Sequence, residues 1–262
     1  MIGGEATAVY ADWHRLELRK EKERIDCGPP IAAMYGAFHF VADRYLVCFI
    51  GGGVVESELR TFDVVARSWL SDPLELATDM HAVGVHPIDP RLAITYDDGI
   101  HFWDVARQRV ETVLDETLVP GFCNVVAFHP REPILAVGGY QQLSLITSGG
   151  DLERVVSEAH YGDVDEAVWI MDNLLATSGI TEIKLWDRAD LALRHTLDLE
   201  GARCNGLVAS ADGQMLCVLC NDHSARIVAL ASMNVRRESD VGAAVFDGSS
   251  LVVAGASGIR RI

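Results

Sequence analysis

The sequence holds no stretch approaching the roughly 18 consecutive apolar residues that a membrane-spanning helix requires. Met1 to Ala11 likewise lacks the basic segment and long apolar run of a secretory signal, so a cytoplasmic location away from membranes is expected. Cationic side chains are scarce: 22 Lys and Arg stand against 38 Asp and Glu, a formal charge of −16. Such a chain repels a phosphate backbone, whose binding relies on cationic groups that release counterions, and nucleic acid is not an expected partner. Proline is thin at 8 residues beside 23 glycines, which excludes collagen-like and Pro-rich disordered classes. The six cysteines, Cys27, Cys48, Cys123, Cys204, Cys217 and Cys220, are scattered through apolar stretches, and buried free thiols are expected, not a disulfide framework.

What is present is a repeat. Gly99-Ile-His-Phe-Trp103-Asp104 and Glu182-Ile-Lys-Leu-Trp186-Asp187 are both alternating strands ending in Trp-Asp, 83 residues apart. A copy with Ile146 in place of Trp lies near the midpoint, in Gln142 to Thr147, and further copies end at Phe62-Asp63 and Val228-Ala229. The steps between these positions are 41, 43, 40 and 42 residues. A second signal runs in phase with the first: an apolar strand closing on a turn, as in Val83 to Pro87, Val125 to Pro130 and Leu207 to Gly213. Each is followed by another apolar strand, so every period reads as four short antiparallel strands.

On these residues the chain resembles the WD40-repeat β-propeller family over essentially its whole length, with divergent, bacterial-like repeats. The resemblance implies an all-β propeller forming a single domain, 1–262. It also implies a structural signature at Phe62, Asp63, Trp103, Asp104, His160, Thr177, Trp186 and Asp187. His160, Thr177 and Trp186 match three members of the family's buried hydrogen-bond set, while Ile180 or Thr181 occupies the turn position where an Asp is usual, leaving the set incomplete. The repeat of Trp103 offers Asp97 or Asp98 in the turn but no matching histidine.

At the N-terminus, Thr7 to Ala11 and His14 to Arg19 read as second and third strands of a blade whose first strand is missing. The alternating charges of Lys20 to Arg24 suit an outermost strand, where they discourage edge-to-edge pairing. Gly258 to Ile262 reads as a third strand at the other end. About 26 strands follow from the 40-residue period, which favours seven blades with an incomplete seam over the alternative of six.

Several constellations invite chemistry. Cys217-x-x-Cys220 with Asp222 and His223 has zinc-type ligands, but side chains three apart in a strand point to opposite faces. His39, His86 and His129 hold equivalent places in successive repeats and suit strand-end hydrogen bonding, not a convergent triad. Gly51-Gly52-Gly53 lacks the strand-to-helix setting of a phosphate loop and fits a hairpin. No metal and no cofactor are expected. Acidic residues gather near Glu75 and Asp79, at Asp97 and Asp98, and at Asp163, Asp165 and Glu166, which read either as solvated loops or as an electronegative rim suited to a basic partner segment.

The function expected is therefore a non-catalytic scaffold for other proteins, docking them on a loop face or serving within a multiprotein complex. Candidate contact residues are Trp13, Asp79, His81, Asn124, Asp165 and Asn205. Two alternatives remain at this level. One is a propeller hydrolase or lactonase with a metal in its central channel, and the other is a subunit of an obligate complex whose partner completes the seam.

Overall fold

Short alternating segments punctuated every few residues by turns have one stable outcome, a succession of antiparallel hairpins. The computed structural model describes residues 7–12, 15–20, 23–26, 36–42, 44–52, 55–70, 74–76, 80–115 and 123–262. The chain divides into two compact units, Met1–Asp115 and Glu116–Ile262.

The first unit opens with the three-stranded meander β1 (Thr7–Asp12), β2 (Arg15–Lys20) and β3 (Glu23–Asp26). The next sheet contains β4 (Gly36–Val41), β5 (Tyr45–Gly52), β6 (Val55–Asp63), β7 (Ser68–Trp69) and β8 (Leu74–Leu76), the last two both pairing with β6. A regular four-stranded meander follows: β9 (Ala82–Val85), β10 (Arg91–Tyr96), β11 (Gly99–Asp104) and β12 (Arg109–Asp115).

The second unit repeats that meander three times. Its strands are β13 (Cys123–Phe128), β14 (Ile134–Gly139), β15 (Gln142–Thr147) and β16 (Leu152–Ser157), then β17 (Glu166–Ile170), β18 (Leu174–Ser178), β19 (Glu182–Asp187) and β20 (Leu193–Asp198). The third sheet is β21 (Cys204–Ala209), β22 (Met215–Cys220), β23 (Ser224–Ala229) and β24 (Asn234–Ser239). Strands β25 (Ala243–Asp247), β26 (Ser250–Gly255) and β27 (Gly258–Arg261) close the unit.

The expectation of seven blades is corrected to six. A blade needs a first strand that packs on its counterpart in the next repeat, as β4 does on β9, β13 on β17, β17 on β21 and β21 on β25. Six strands take part in such packing, two in the first unit and four in the second, whereas the separate meander β1–β3 has no such strand among the described residues. Strand count also departs from expectation, because β7 and β8 divide the place of one fourth strand.

The repeat position has a structural meaning. In three sheets the ladder between third and fourth strands slips by one residue just before it, at Phe102/Trp103, Leu145/Ile146 and Leu185/Trp186. A bulge of this kind sharpens the local twist and turns the following side chain inward. Trp103, Ile146 and Trp186 are accordingly 4%, 0% and 3% exposed. The Asp that follows then closes the turn: Asp63 Oδ1 accepts from Val65 and Ala66 N–H, Asp104 Oδ1 from Arg107 N–H, and Asp187 Oδ1 from Ala189 N–H. Arg44, Arg107 and Arg194 pair with the second oxygens and help hold all three carboxyls below the usual carboxylate range, against the opposing effect of burial.

Adjacent blades of the second unit are tied together by the second in-phase signal. His129 Nδ1 accepts from Glu132 N–H at 2.9 Å to form the turn, and its Nε2 donates to the Asp172 carbonyl at 3.0 Å in the next blade. Its ring meets Trp169 edge-on at 4.6 Å, and Trp169 Nε1 donates back to the Ala127 carbonyl. His86 forms the same turn with Asp89 N–H in the first unit. Strand-end hydrogen bonding is thus the work of His86 and His129, whereas His39 lies within β4, its ring edge-on to Phe49 at 5.8 Å. Leu143 and Leu145 are fully buried in the same apolar cluster as Trp169, each contributing about 2 kcal/mol of apolar burial.

Candidate functional site

Four residues of one blade form a hydrogen-bonded chain of catalytic appearance. Trp186 Nε1 donates to Thr177 Oγ1 at 2.7 Å, and Thr177 Oγ1 lies 2.8 Å from His160 Nε2. His160 Nδ1 stands 3.1 Å from Glu182 Oε1. Since the indole can only donate, the threonine hydroxyl passes its proton toward Nε2, and Nδ1–H donates to the glutamate. Burial first, and the Lys184 ammonium second, push the His160 pKa down to about 4 despite the glutamate.

Acid, imidazole and hydroxyl in line suggest a nucleophile and its base. Exposure decides otherwise: the Thr177 residue and the His160 side chain are both 0% exposed, so no substrate reaches them. The chain is a strut that satisfies buried polar groups. It also corrects the incomplete set read from the sequence, because Glu182, at the start of β19, supplies the acid that Ile180 and Thr181 do not. Gly179 makes the space, since a Cβ there would stand 2.5 Å from His160 Nδ1.

The outward-facing candidates lie at the starts of first strands. His81, Asp165 and Gly242 donate their backbone N–H to the carbonyls of Thr95, Ser178 and Ala254, the same bond in three blades. Asn124 and Asn205 are the bulged residues in β13 and β21, where pairing slips between Cys123 and Val125 and between Cys204 and Gly206. Asn124, Asp165 and Asn205 therefore share one register place in three sheets whose first strands pack side by side. His81 holds the matching place in the first unit, its Nε2 2.7 Å from Asp97 Oδ1. Trp13 and Asp79 lie outside the described residues.

Carboxylates crowd this end of the second unit. Asp165 is raised above the ordinary carboxylate range by partial burial and by Asp163, against the opposing pull of Arg203. Glu166 is raised by burial and by Asp165. Among the described residues no group of three or more His, Cys, Asp or Glu is arranged to hold a metal ion. Cys204, Cys217 and Cys220 are free thiols, and burial pushes Cys123, Cys204 and Cys217 up to about 12, far from nucleophilic thiolates. Cys27 lies outside the described residues. No helix among the described residues is long and apolar enough to cross a membrane.

Inner-strand packing, the meander blades and the repeated bulge define an all-β propeller. Its fold is similar to a chain in a structure titled "Crystal Structure of Mitotic Checkpoint Complex", with a TM-score of 0.74 and 18% identity over 98% of this chain and 84% of that one. No family model and no curated protein matches the sequence.

Two further features of this end escaped sequence reasoning: the display of Tyr140 and Tyr161, which are 67% and 90% exposed, and the electrostatic pull of Arg203 on Asp165. Tyr161 was readable as a residue beside His160, but its exposure depends on how the loop is pinned.

Proposed function

We propose that the chain is a non-catalytic scaffold, a single WD40-like propeller domain that works in the cytoplasm without a cofactor and docks other proteins on the loop end bearing Asn124, Asp165 and Asn205. The observation that carries this reading is their shared register place on packed first strands, which holds polar groups outward on a rigid base. The family signature, by contrast, is spent on buried struts, which supports a structural and not a chemical use of the repeat. Likeness to a chain of a multiprotein complex is consistent with protein partners. Net charge of −16 favours partners with basic segments and disfavours nucleic acid.

Proximity cross-linking in the native host, comparing the wild type with an Asp165→Arg/Asn205→Arg double variant of unchanged melting behaviour, tests the reading. Partners captured by the wild type are expected to be lost from the variant. Equal capture by both would move the docking site elsewhere.

A further inference from the structure

We propose that the loop 158–165 is a docking surface for a short segment of another protein that carries an arginine beside an aliphatic or aromatic residue, an inference that rests on the scaffold reading. The apolar residue would sit on Tyr140, Tyr161 and Ile180, and the guanidinium would reach Asp163 and Asp165.

Three large side chains surround one short stretch of backbone here. Tyr140 pairs with Asp163 in an isolated β-bridge, and the Ile180 Cδ1 lies only 3.2 Å from where a Cβ on Gly162 would stand. Tyr161 is between them in sequence and 90% exposed, with Tyr140 at 67% and Ile180 at 40%. Exposed apolar groups clustered within a polar rim mark interaction sites, whereas single ones do not.

The display is rigid. Ala159, His160 and Val164 are 0%, 2% and 0% exposed, so the loop is anchored on both sides of the tyrosine. Its backbone is laced to the neighbouring hairpin turn, with Ala159 N–H donating to Gln141 O, Gln141 N–H to Gly162 O and Val164 N–H to Gly139 O. Lys184 Nζ donates to the Ala159 carbonyl at 2.6 Å, and the buried His160–Thr177 bond holds the loop from beneath. A loop backbone held in this way presents Tyr161 without an ordering cost to the main chain on binding, a setting that favours aromatic contacts.

Charge selects the occupant. Asp163, Asp165 and Glu166 lie close together with Arg203 as the cation acting on Asp165, and burial first, then the neighbouring carboxylate, raises both Asp165 and Glu166. A further cation relieves that crowding, whereas an acidic segment or a nucleic acid strand would worsen it. Arginine suits the place better than lysine, because its planar fork pairs with carboxylates while its face stacks on a tyrosine ring.

The test uses two sets of fluorescein-labelled octapeptides with randomised flanks, one with Arg and Leu fixed two residues apart and one with Glu in place of Arg. Wild-type protein is expected to bind the Arg set and not the Glu set. Tyr161→Ala, which removes almost no packing, should weaken binding by about ten-fold or more. Asp163→Asn/Asp165→Asn should weaken it and flatten its salt dependence. Equal binding to both sets, absence of binding to the Arg set, or indifference to Tyr161→Ala would overturn the proposal. If cross-linked partners survive Tyr161→Ala yet disappear with Asp165→Arg/Asn205→Arg, this surface fails while the scaffold reading stands. If the wild type captures no partner at all, the scaffold reading fails with it.

Discussion

The two blades that end in Trp-Asp solve the same problem with different means. In β17–β20 the indole of Trp186 is tied through Thr177 and His160 to Glu182. In β9–β12 the strand register places Ile94 where the other blade has Thr177, because Leu92 faces Trp103 as Leu175 faces Trp186. The Trp103 Nε1 is accordingly buried without a hydrogen-bond partner among the described residues. Tyr96 stands at the place of Gly179, and its bulk is tolerated where no imidazole needs the space. The tryptophan is thus retained for shape and apolar area, and the polar set is a local addition that only one of these two blades has completed. Apolar burial is the larger and less demanding contribution, which explains why Ile146 can hold the same place with no polar group at all.

The largest difference should appear on removing the central hydroxyl. Thr177→Val keeps the shape but orphans a buried indole N–H and an imidazole nitrogen, at about 2 to 4 kcal/mol in urea denaturation. Ile94→Val, at the matching place in the other blade, removes one buried methylene and should cost about 1 kcal/mol. Equal losses at the two positions would mean that the polar chain contributes nothing beyond packing.

Acid should separate the blades next. His160 titrates near 4 when folded and near 6.5 when unfolded, so the unfolded chain takes up a proton in that interval that the folded chain refuses. Stability supplied by the neutral imidazole is complete above pH 6.5 and is lost as pH falls toward 4, reaching about 3 kcal/mol. Proton uptake on unfolding between pH 6.5 and 4, measured from the slope of unfolding free energy with pH, should drop by nearly one in His160→Gln. The Trp103 blade has no such group in its signature, so Ile94→Val should leave the slope unchanged. Identical slopes for wild type and His160→Gln would refute the buried neutral state.

Much of this contrast was legible before any coordinates. The period survives in sequence because one bulged position must carry a large apolar side chain and the residue after it is best placed to cap a turn, as Asp63, Asp104 and Asp187 do. Histidines at turn positions were equally readable, since His86 and His129 recur in phase. Glu182 was not, because a register comparison looks for an acid at fixed positions, whereas a glutamate slightly further along the hairpin reaches the same imidazole. Blade number was hidden for a similar reason. Strands β1–β3 carry the alternation of a blade, and although the sequence already reads them as lacking a first strand, nothing in alternation tells whether such a sheet still counts as a blade. The shared register place of Asn124, Asp165 and Asn205 is legible from phase alone, whereas the display of Tyr161 depends on buried neighbours whose contacts are long-range.

The smallest expected effect sharpens the comparison most directly. Ile94→Thr places a hydroxyl where Thr177 stands in the other blade and offers the Trp103 indole an acceptor. The gain of a buried hydrogen bond, about 1 kcal/mol, is offset by the apolar surface that the isoleucine gives up and by a hydroxyl proton needing its own partner. Net stability should therefore shift by less than about 1 kcal/mol, while hydrogen exchange at the Trp103 indole slows and its N–H resonance moves downfield. An unchanged indole resonance would show that strand register alone does not set the geometry, and that His160 must first fix the hydroxyl before the tryptophan can use it.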